Sequence, residues 1–339
     1  MTAKQSWTTG VLIFFVCLTW ISFPAWAKTY KIGVVQIVSH PALDADSKGF
    51  VDALAAAGFV EGKNVAYDFQ NAQGDMANAI TIARKFVMDK VDLIHAIATP
   101  TSQACVKATK TIPIVFSSVT DPVAAGLIKS WEKPGGNVTG ISDMNPINLQ
   151  LKFFLEIVPT VKRVGFLYNT GETNSVVQLE QFQKAAEKLG VKTVPGVATT
   201  SSEVGLAASS LVGKVDAYYT PMDNTVVSAL ESVVKAADTN KIPLFVGDIS
   251  SVPRGGLAAL GVSYYDVGFE AGKLAVEILK GRDAGTIPAS VAKNYRILLN
   301  LDSARAQKVT FPAAVLEKAE KIFLTENGVE LEAQPVKKK

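Results

Sequence analysis

The sequence is poor in the residues that support several common kinds of protein chemistry. Only two cysteines and two histidines occur among 339 residues, so neither a disulfide framework nor a metal site is expected. The motifs G-x-G-x-x-G after a strand, G-x-x-x-x-G-K-[ST] and G-x-S-x-G are absent. The formal net charge is +3 and the only basic cluster is Lys337–Lys339, which argues against nucleic-acid binding. We therefore expect no cofactor and no catalytic set.

Residues 1–27 have the layout of a cleavable secretory signal peptide. A positive charge is followed by an apolar stretch over about residues 10–21 and by Ala25-Trp26-Ala27, which suits a signal peptidase. That stretch is shorter than the roughly 20 apolar residues of a membrane-spanning helix, which disfavours an uncleaved anchor. Cys17 lies inside it without the small residues of a lipobox. We expect a free periplasmic protein that begins near Lys28.

Short apolar runs alternate with amphipathic helical stretches along the rest of the chain. Such regular alternation predicts an α/β protein with parallel, doubly wound sheets and right-handed crossovers. Ten strands in two runs of five predict two sheets. The predicted strands are Lys31–Ile37, Asn64–Gln70, Leu93–Ala98, Ile112–Val119, Asn137–Ser142, Arg163–Asn169, Lys192–Val197, Ala217–Thr220, Ile242–Gly247 and Leu257–Val262, followed by a last strand at Arg296–Asn300.

Two lobes of about 150 residues suit a chain of this length. We expect residues 28–143 plus 264–290 in the N-terminal lobe and residues 144–263 plus 291–324 in the C-terminal lobe. The chain would then cross between the lobes through a hinge of two or three segments. The polar end of the chain, residues 325–339, has no hydrophobic period and is expected to be disordered.

Ligands of open α/β sheets bind beyond the carboxyl ends of the strands, so the residues that follow each strand are the site candidates. The Thr99–Ser102 segment is the most informative, because three hydroxyls surround the first turn of a helix that could hold a carboxylate. Plain N-capping is the alternative for each of these residues. The first-half candidates are Ser39, His40, Leu43, Asp44, Thr99, Thr101, Ser118 and Asp121.

The second half places acids and amides at the equivalent strand ends, where one acid could hold an ammonium group. Helix capping is again the alternative, above all for Asp223. Tyr264 could stack on a ligand or could pack in the core or hinge. His95 lies within an apolar strand and is interpreted as a core histidine. The second-half candidates are Glu172, Asn174, Ser175, Asp223, Asn224, Asp248 and Tyr264.

Several segments together resemble the ABC-transporter substrate-binding proteins of the tryptophan/tyrosine-binding, TrpX-like family. The similar segments extend over about residues 30–325 and are KIGVVQIVSHPALDADSKGF, GFVEGKNVAYDFQNAQGD, IATPTSQA, IPIVFSSVTDPVAAGL, GGNVTGISD, VGFLYNTGETNS and GVSYYDVGFEAGKLAVEILKG. The resemblance implies a type I periplasmic-binding-protein fold, in which two Rossmann-like lobes are joined by a three-segment hinge. It also implies the same candidate site residues apart from Tyr264, and capture of an amino acid by hinge closure.

The expected protein is a monomeric receptor that delivers a small ligand to an ABC permease and its ATPase. The ligand would be an amino acid, aromatic or branched-chain, and non-amino-acid ligands stay open. Two alternatives come from other classes. One is a sensor domain that uses the same clamp without transport. The other is an exported α/β enzyme that uses His40 and Asp44 as a hydrogen-bonded pair.

Overall fold

Two parallel sheets form the framework of the computed structural model, which describes residues 28–326 and 329–333. The predicted signal peptide, residues 1–27, lies outside the described residues. The strands are β1 (Tyr30–Gln36), β2 (Val65–Asn71), β3 (Leu93–Ile97), β4 (Ile114–Ser117), β5 (Val138–Ser142), β6 (Arg163–Tyr168), β7 (Lys192–Val197), β8 (Ala217–Thr220), β9 (Leu244–Val246), β10 (Ala258–Val262), β11 (Ser290–Val291), β12 (Tyr295–Asn300), β13 (Lys321–Glu326) and β14 (Val329–Ala333).

Each sheet contains one of the two predicted runs of five parallel strands. The first sheet has the order β11-β5-β4-β3-β1-β2 and the second has the order β14-β13-β12-β10-β9-β8-β6-β7. In both runs the second strand lies at the outer end, so each half has the doubly wound order 2-1-3-4-5. Strand β12 extends the second sheet antiparallel to β10. The prediction of two doubly wound α/β lobes is confirmed.

Helices connect the strands and cover both faces of each sheet. They are α1 (Pro41–Ala56), α2 (Met76–Met88), α3 (Thr99–Ala108), α4 (Ile147–Ile157), α5 (Thr173–Lys188), α6 (Val204–Ser210), α7 (Asn224–Ser228), α8 (Leu230–Asn240), α9 (Tyr264–Leu279), α10 (Leu301–Ala306) and α11 (Ala313–Lys318). None of the described helices is both long and apolar enough to span a membrane.

Helices α1 and α9 pack together unusually closely within the first lobe. Their contact is possible because Gly49 on α1 and Gly268 and Gly272 on α9 have no side chains. A Cβ atom at Gly49 would lie 2.1 Å from the carbonyl oxygen of Tyr265, which is well inside van der Waals contact. The first lobe therefore contains α9, although the chain reaches α9 only after completing β10 of the second lobe.

The chain passes between the lobes three times. The first crossing is residues 143–146, the second is Ser263 and the third is residues 292–294, as the connections between β5 and α4, β10 and α9, and β11 and β12 define them. The main-chain N–H of Ala292 donates to the carbonyl of Ser142 at 2.9 Å, so the first and third crossings are hydrogen-bonded side by side. The predicted three-segment hinge is present.

The structure differs from the sequence-based predictions at several positions. The predicted disordered tail at 325–339 is wrong for residues 325–326, which belong to β13, and for residues 329–333, which form β14 and pair antiparallel with β13. Residues 327–328 and 334–339 lie outside the described part. Helix α3 begins at Thr99, so the Thr99–Ser102 segment is itself the first turn of the helix. The helical stretch that follows Asp223 is divided at Ala229 into α7 and α8.

Candidate functional site

A closed cavity lies between the two lobes, beyond the carboxyl ends of their strands. Its volume is about 10 Å³, which is enough for about one water molecule. The two lobes are therefore closed on each other, and a ligand larger than a water molecule requires them to lie further apart than they do here. The cavity is lined by His40, Ala42, Leu43, Ser118, Thr120, Asp143, Asn174, Met222, Asp223, Asn224, Val227, Asp248 and Tyr264.

The start of α1 forms part of the first-lobe wall. His40 is the N-cap of this helix, and its Nδ1 atom accepts from the N–H of Leu43 at 3.5 Å. Burial is the main cause that lowers the pKa of His40 to about 4. Asp44 instead accepts from Ser39 Oγ at 2.9 Å and Gln36 Nε2 at 2.9 Å. His40 and Asp44 do not form the hydrogen-bonded pair that the enzyme alternative required.

Two strand ends of the first lobe have left-handed backbone conformations. Ala98 after β3 has a φ of 77° and Ser118 after β4 has a φ of 52°, and non-glycine residues adopt such values at a cost that is often associated with function. Helix α3 starts directly after Ala98 without a side-chain cap. The hydroxyl of Thr101 is used internally, since it donates to the carbonyls of Ile97 and Ala98. The buried hydroxyl of Thr99 has no hydrogen-bond partner.

A buried polar cluster supports the first-lobe wall from behind. Asp46 on α1 accepts from Ser117 Oγ at 2.7 Å and also from the hydroxyl of Ser118. The Nε2 atom of His95 lies 2.7 Å from Ser117 Oγ, and its ring stacks on Phe50 at a centroid distance of 3.8 Å. Asp46, His95 and Ser117 are fully buried and none of them lines the cavity. His95 is a core histidine, as predicted.

Glu172 organises the second-lobe wall without lining the cavity itself. One carboxylate oxygen accepts from Asn174 Nδ2 at 3.0 Å and from both the N–H and the side-chain amide of Asn224. The other oxygen accepts from the N–H and the hydroxyl of Thr225 at 3.0 and 2.9 Å. The carboxylate is therefore fully hydrogen-bonded, and it orients the amides of Asn174 and Asn224 beside the cavity.

Two aspartates of the second lobe combine the roles of helix cap and cavity wall. Asp223 caps α7 by accepting from the N–H of Val226 at 2.8 Å, and its second oxygen accepts from Ser175 Oγ at 2.6 Å. Burial, together with the nearby Glu172 carboxylate, raises the pKa of Asp223. Asp248 accepts from the N–H and the hydroxyl of Ser251, and burial raises its pKa as well. Capping and exposure to the cavity are thus compatible at both positions.

Asp143, in the first crossing, contributes a carboxylate that sequence reasoning missed. Its Oδ2 accepts from the Tyr264 hydroxyl at 2.7 Å, while Oδ1 is buried without a partner. Burial raises the pKa of Asp143 to about 6. Asn174 Oδ1 in the opposite wall is also buried without a partner. Unpaired buried acceptors are uncommon and require an explanation, and a ligand that donates hydrogen bonds would provide one.

The cavity wall is acidic. Asp143, Asp223 and Asp248 line it, whereas no lysine or arginine is found among its lining residues in the described part of the chain. Apolar surface is supplied by Leu43, Met222, Val227 and the ring of Tyr264, as well as Ala42. Within the described residues, no group of histidine, cysteine and acidic side chains has the arrangement of a metal site. The wall has the chemistry to hold a small cationic or zwitterionic molecule with an apolar part.

The structure brings about half of the predicted site residues together around the cavity. Those that line it are His40, Leu43, Ser118, Asn174, Asp223, Asn224, Asp248 and Tyr264; those that do not are Ser39, Asp44, Thr99, Thr101, Asp121, Glu172 and Ser175. Asp121 instead caps the following turn by accepting from the N–H groups of Val123 and Ala124. Asp143 and Met222 follow β5 and β8, so the strand-end rule that selected the others applies equally to them.

Comparison with known proteins identifies the family. Residues 31–323 match the family described as ABC transporter substrate binding protein. The chain belongs to this family. A protein of Clostridioides difficile (strain R20291) named tyrosine-binding protein is 47% identical over 279 residues, which cover 82% of this chain and 81% of that protein. The family consists of extracytoplasmic solute-binding proteins, not enzymes, which removes the enzyme alternative.

Two solved structures that are similar to this chain differ in how well they agree with it. An ABC domain from Streptococcus pneumonia in complex with L-Trp is 36% identical, covers 87% of this chain and 100% of its own, and has a TM-score of 0.84. The ligand-free, open structure of a substrate-binding protein with adhesive properties from Clostridium difficile is 45% identical, covers 84% and 97%, and has a TM-score of 0.65. The structure with lower identity agrees better, because the lobes of this protein are in the closed arrangement.

Proposed function

We propose that this member of the family captures an aromatic L-amino acid by closure of its two lobes. The observation that carries the proposal is the pair of buried, unpartnered acceptors in the acidic cavity wall, Asp143 Oδ1 and Asn174 Oδ1. They come from opposite sides of the cleft, so a single donor group can engage both only when the lobes are closed. A ligand that binds the closed state better than the open state stabilises closure by that difference in affinity.

The ammonium group of the ligand is assigned to Asp143. An ammonium has three donors and a positive charge, which matches a buried carboxylate with one free oxygen. The other acids nearby are less suited, because Glu172 and Asp223 each accept from at least three protein donors. Asn174 Oδ1 supplies a neutral acceptor from the second lobe.

The carboxylate of the ligand is assigned to the start of α3. This helix has no side-chain cap, and the buried hydroxyl of its first residue, Thr99, has no partner. Free N–H groups and the positive end of the helix dipole favour an anion there. Ser118 lines the cavity and follows β4, the strand next to β3. The start of α3, which follows β3, therefore lies beside the cavity wall.

The apolar part of the ligand is assigned to the surface formed by Leu43, Met222, Val227 and the Tyr264 ring. Thioether and aromatic groups pack favourably on an aromatic ring. Support also comes from two relatives, one named a tyrosine-binding protein and one solved with L-Trp. Tyrosine and tryptophan are therefore the leading ligands, ahead of branched aliphatic amino acids.

The transport role completes the proposal. The receptor is a periplasmic monomer, released after cleavage of the signal peptide near Ala27, and it delivers its ligand to an ABC permease and the associated ATPase. The signal-like layout of residues 1–27 and the family support this role. Reconstitution in proteoliposomes distinguishes transport from sensing alone. If the permease, its ATPase and the purified receptor together give uptake of labelled tyrosine, the receptor serves transport.

Ligand binding is tested by calorimetry and thermal melting of the protein from residue 28 onward. L-Tyrosine and L-tryptophan should bind, and a ligand at about 100 times its dissociation constant should add about 2.7 kcal/mol to the free energy of unfolding. The deaminated analogue 3-(4-hydroxyphenyl)propionate should bind poorly. Asp143→Asn should weaken tyrosine binding, whereas Asp121→Asn, outside the cavity, should not. Absence of any response to amino acids would refute the assignment.

A further inference from the structure

Asp143 and Tyr264 connect two of the three crossings at the edge of the cavity. Asp143 begins the first crossing, and Tyr264 is the first residue of α9, directly after the second. The Tyr264 hydroxyl donates to Asp143 Oδ2 at 2.7 Å, and both side chains are buried. This hydrogen bond leaves Oδ1 as the only free oxygen of the carboxylate.

Tyr264 is held rigidly in the first lobe. It belongs to α9, whose glycines pack directly on the backbone of α1, and Ser263 caps that helix by accepting from the N–H of Asp266 at 3.3 Å. Asp143 is therefore tied to the first lobe through a side chain that has little freedom. Charge-assisted hydrogen bonds of this kind are stronger and more directional than neutral ones.

The next polar residue of the first crossing is tied to the other lobe. Asn145 Nδ2 donates to the carbonyl of Gly247 at 2.6 Å, and Gln150 Nε2 donates to the carbonyl of Leu260 at 2.7 Å. Only Met144 separates Asp143 from Asn145. The rotation between the lobes at this crossing is thus confined to a very short stretch, and Asp143 keeps its orientation relative to the first lobe.

We propose that Tyr264 is a positioning residue for ligand capture, which fixes the Asp143 carboxylate so that Oδ1 faces the cleft before the second lobe closes. The proposal rests on the amino-acid function above and deepens it. Tyr264 need not contact the ammonium of the ligand for this role. It acts through Asp143, by holding one oxygen and favouring the ionised carboxylate that an ammonium group requires.

The charges around Asp143 explain why the ionised form needs this support. Asp46 on α1, Asp248 in the second lobe and Asp223 at the start of α7 are all acidic and buried. His40 is the nearest basic side chain of the cavity wall, and burial keeps it neutral near pH 7 because its pKa is lowered to about 4. Burial and the charge of Asp46 oppose ionisation of Asp143, whereas the hydrogen bond from Tyr264 favours it.

The test compares Tyr264→Phe with Tyr265→Phe. The adjacent Tyr265 also donates to an aspartate, Asp52 Oδ2 at 2.9 Å, so both variants lose one tyrosine–aspartate hydrogen bond and keep the ring. The affinity for L-tyrosine is measured by calorimetry between pH 5 and pH 8. Tyr264→Phe should lower it by about 10- to 100-fold at pH 6, with a smaller loss at pH 8, and Tyr265→Phe should match the wild type throughout.

A double-mutant cycle separates positioning from a general packing effect. In the Asp143→Asn background, Tyr264→Phe should cause little further loss of affinity, because the group it positions is already changed. A loss that is equal at every pH, or one that persists in the Asp143→Asn background, would overturn the role of Tyr264. If the wild type binds neither L-tyrosine nor L-tryptophan, the proposed function fails first and the positioning role fails with it.

Discussion

Gly268 on α9 faces the main-chain carbonyl of Asp46 on α1, and a Cβ atom at residue 268 would lie 1.9 Å from that oxygen. The obstacle is backbone, so the two helices would have to separate to admit even one methyl group. Gly268→Ala should lower the free energy of unfolding by about 3 kcal/mol or more, as measured by urea denaturation. Gly205→Ala on α6 is the control, since its nearest neighbour is the Ser232 side chain at 3.2 Å; equal effects would contradict the packing argument.

Replacement of Asp143 should separate stability from binding. Because its pKa is raised to about 6 in the folded protein, above the unfolded value of 3.8, the ionised carboxyl destabilises the fold as pH rises through 6. Asp143→Asn should therefore stabilise the ligand-free protein near pH 8, by up to about 3 kcal/mol, and the gain should vanish below about pH 4. Melting curves across this pH range measure it. A variant less stable than the wild type at pH 8 would contradict the proposed cost of the charge.

His40 should have the opposite pH dependence. Its pKa is lowered to about 4 in the folded protein, so below pH 6.5 the unfolded chain takes up the proton first and stability falls, until the folded protein is protonated near pH 4. His40→Asn keeps a good N-cap for α1 and removes the titration. Between pH 7 and pH 5 its melting temperature should fall less than that of the wild type, and parallel curves would refute the assignment.

Loss of one carboxylate oxygen of Glu172 should lower both the stability of the protein and its affinity for tyrosine. Both of its oxygens accept hydrogen bonds, five in all, from Asn174, Asn224 and Thr225. In Glu172→Gln an amide NH₂ replaces one acceptor and faces donors, which should cost about 3 kcal/mol of stability. Tyrosine affinity should fall as well, because the two asparagines lose their orientation. Glu180→Gln, on the exposed face of α5, should leave both quantities unchanged.

The sequence was sufficient to predict the order of helices and strands, because short apolar runs and amphipathic stretches mark them locally. It was also sufficient to locate the edge of each sheet where the cavity lies. It did not reveal which strand-end side chains turn into the cavity. Thr101 donates to carbonyls of Ile97 and Ala98 just before its helix. Ser175 donates to Asp223, and that choice depends on a neighbour that is distant in sequence. Asp143 was missed although it directly follows β5.

The C-terminal prediction was wrong in part for a physical reason. The segment 329–333 (VELEA) alternates apolar and acidic residues, but it was expected to be disordered because the tail as a whole is polar. In the structure it adds an antiparallel strand beside β13, and main-chain hydrogen bonds make the pairing largely independent of side-chain character. The Asn-Gly pair before this segment and the alternation within it are a local sequence signal for a β-hairpin, so the prediction erred by judging the tail on its polarity alone.

The position of α9 has a consequence for how the protein is made. The first lobe needs this helix to cover α1, yet residues 264–279 are synthesised only after the whole β-α series of the second lobe. A chain that stops before residue 264 therefore leaves the apolar face of α1 uncovered, and Gly49 lacks the backbone against which it packs. The first lobe can therefore complete its fold only after residues 264–279 have been synthesised and have returned across the hinge.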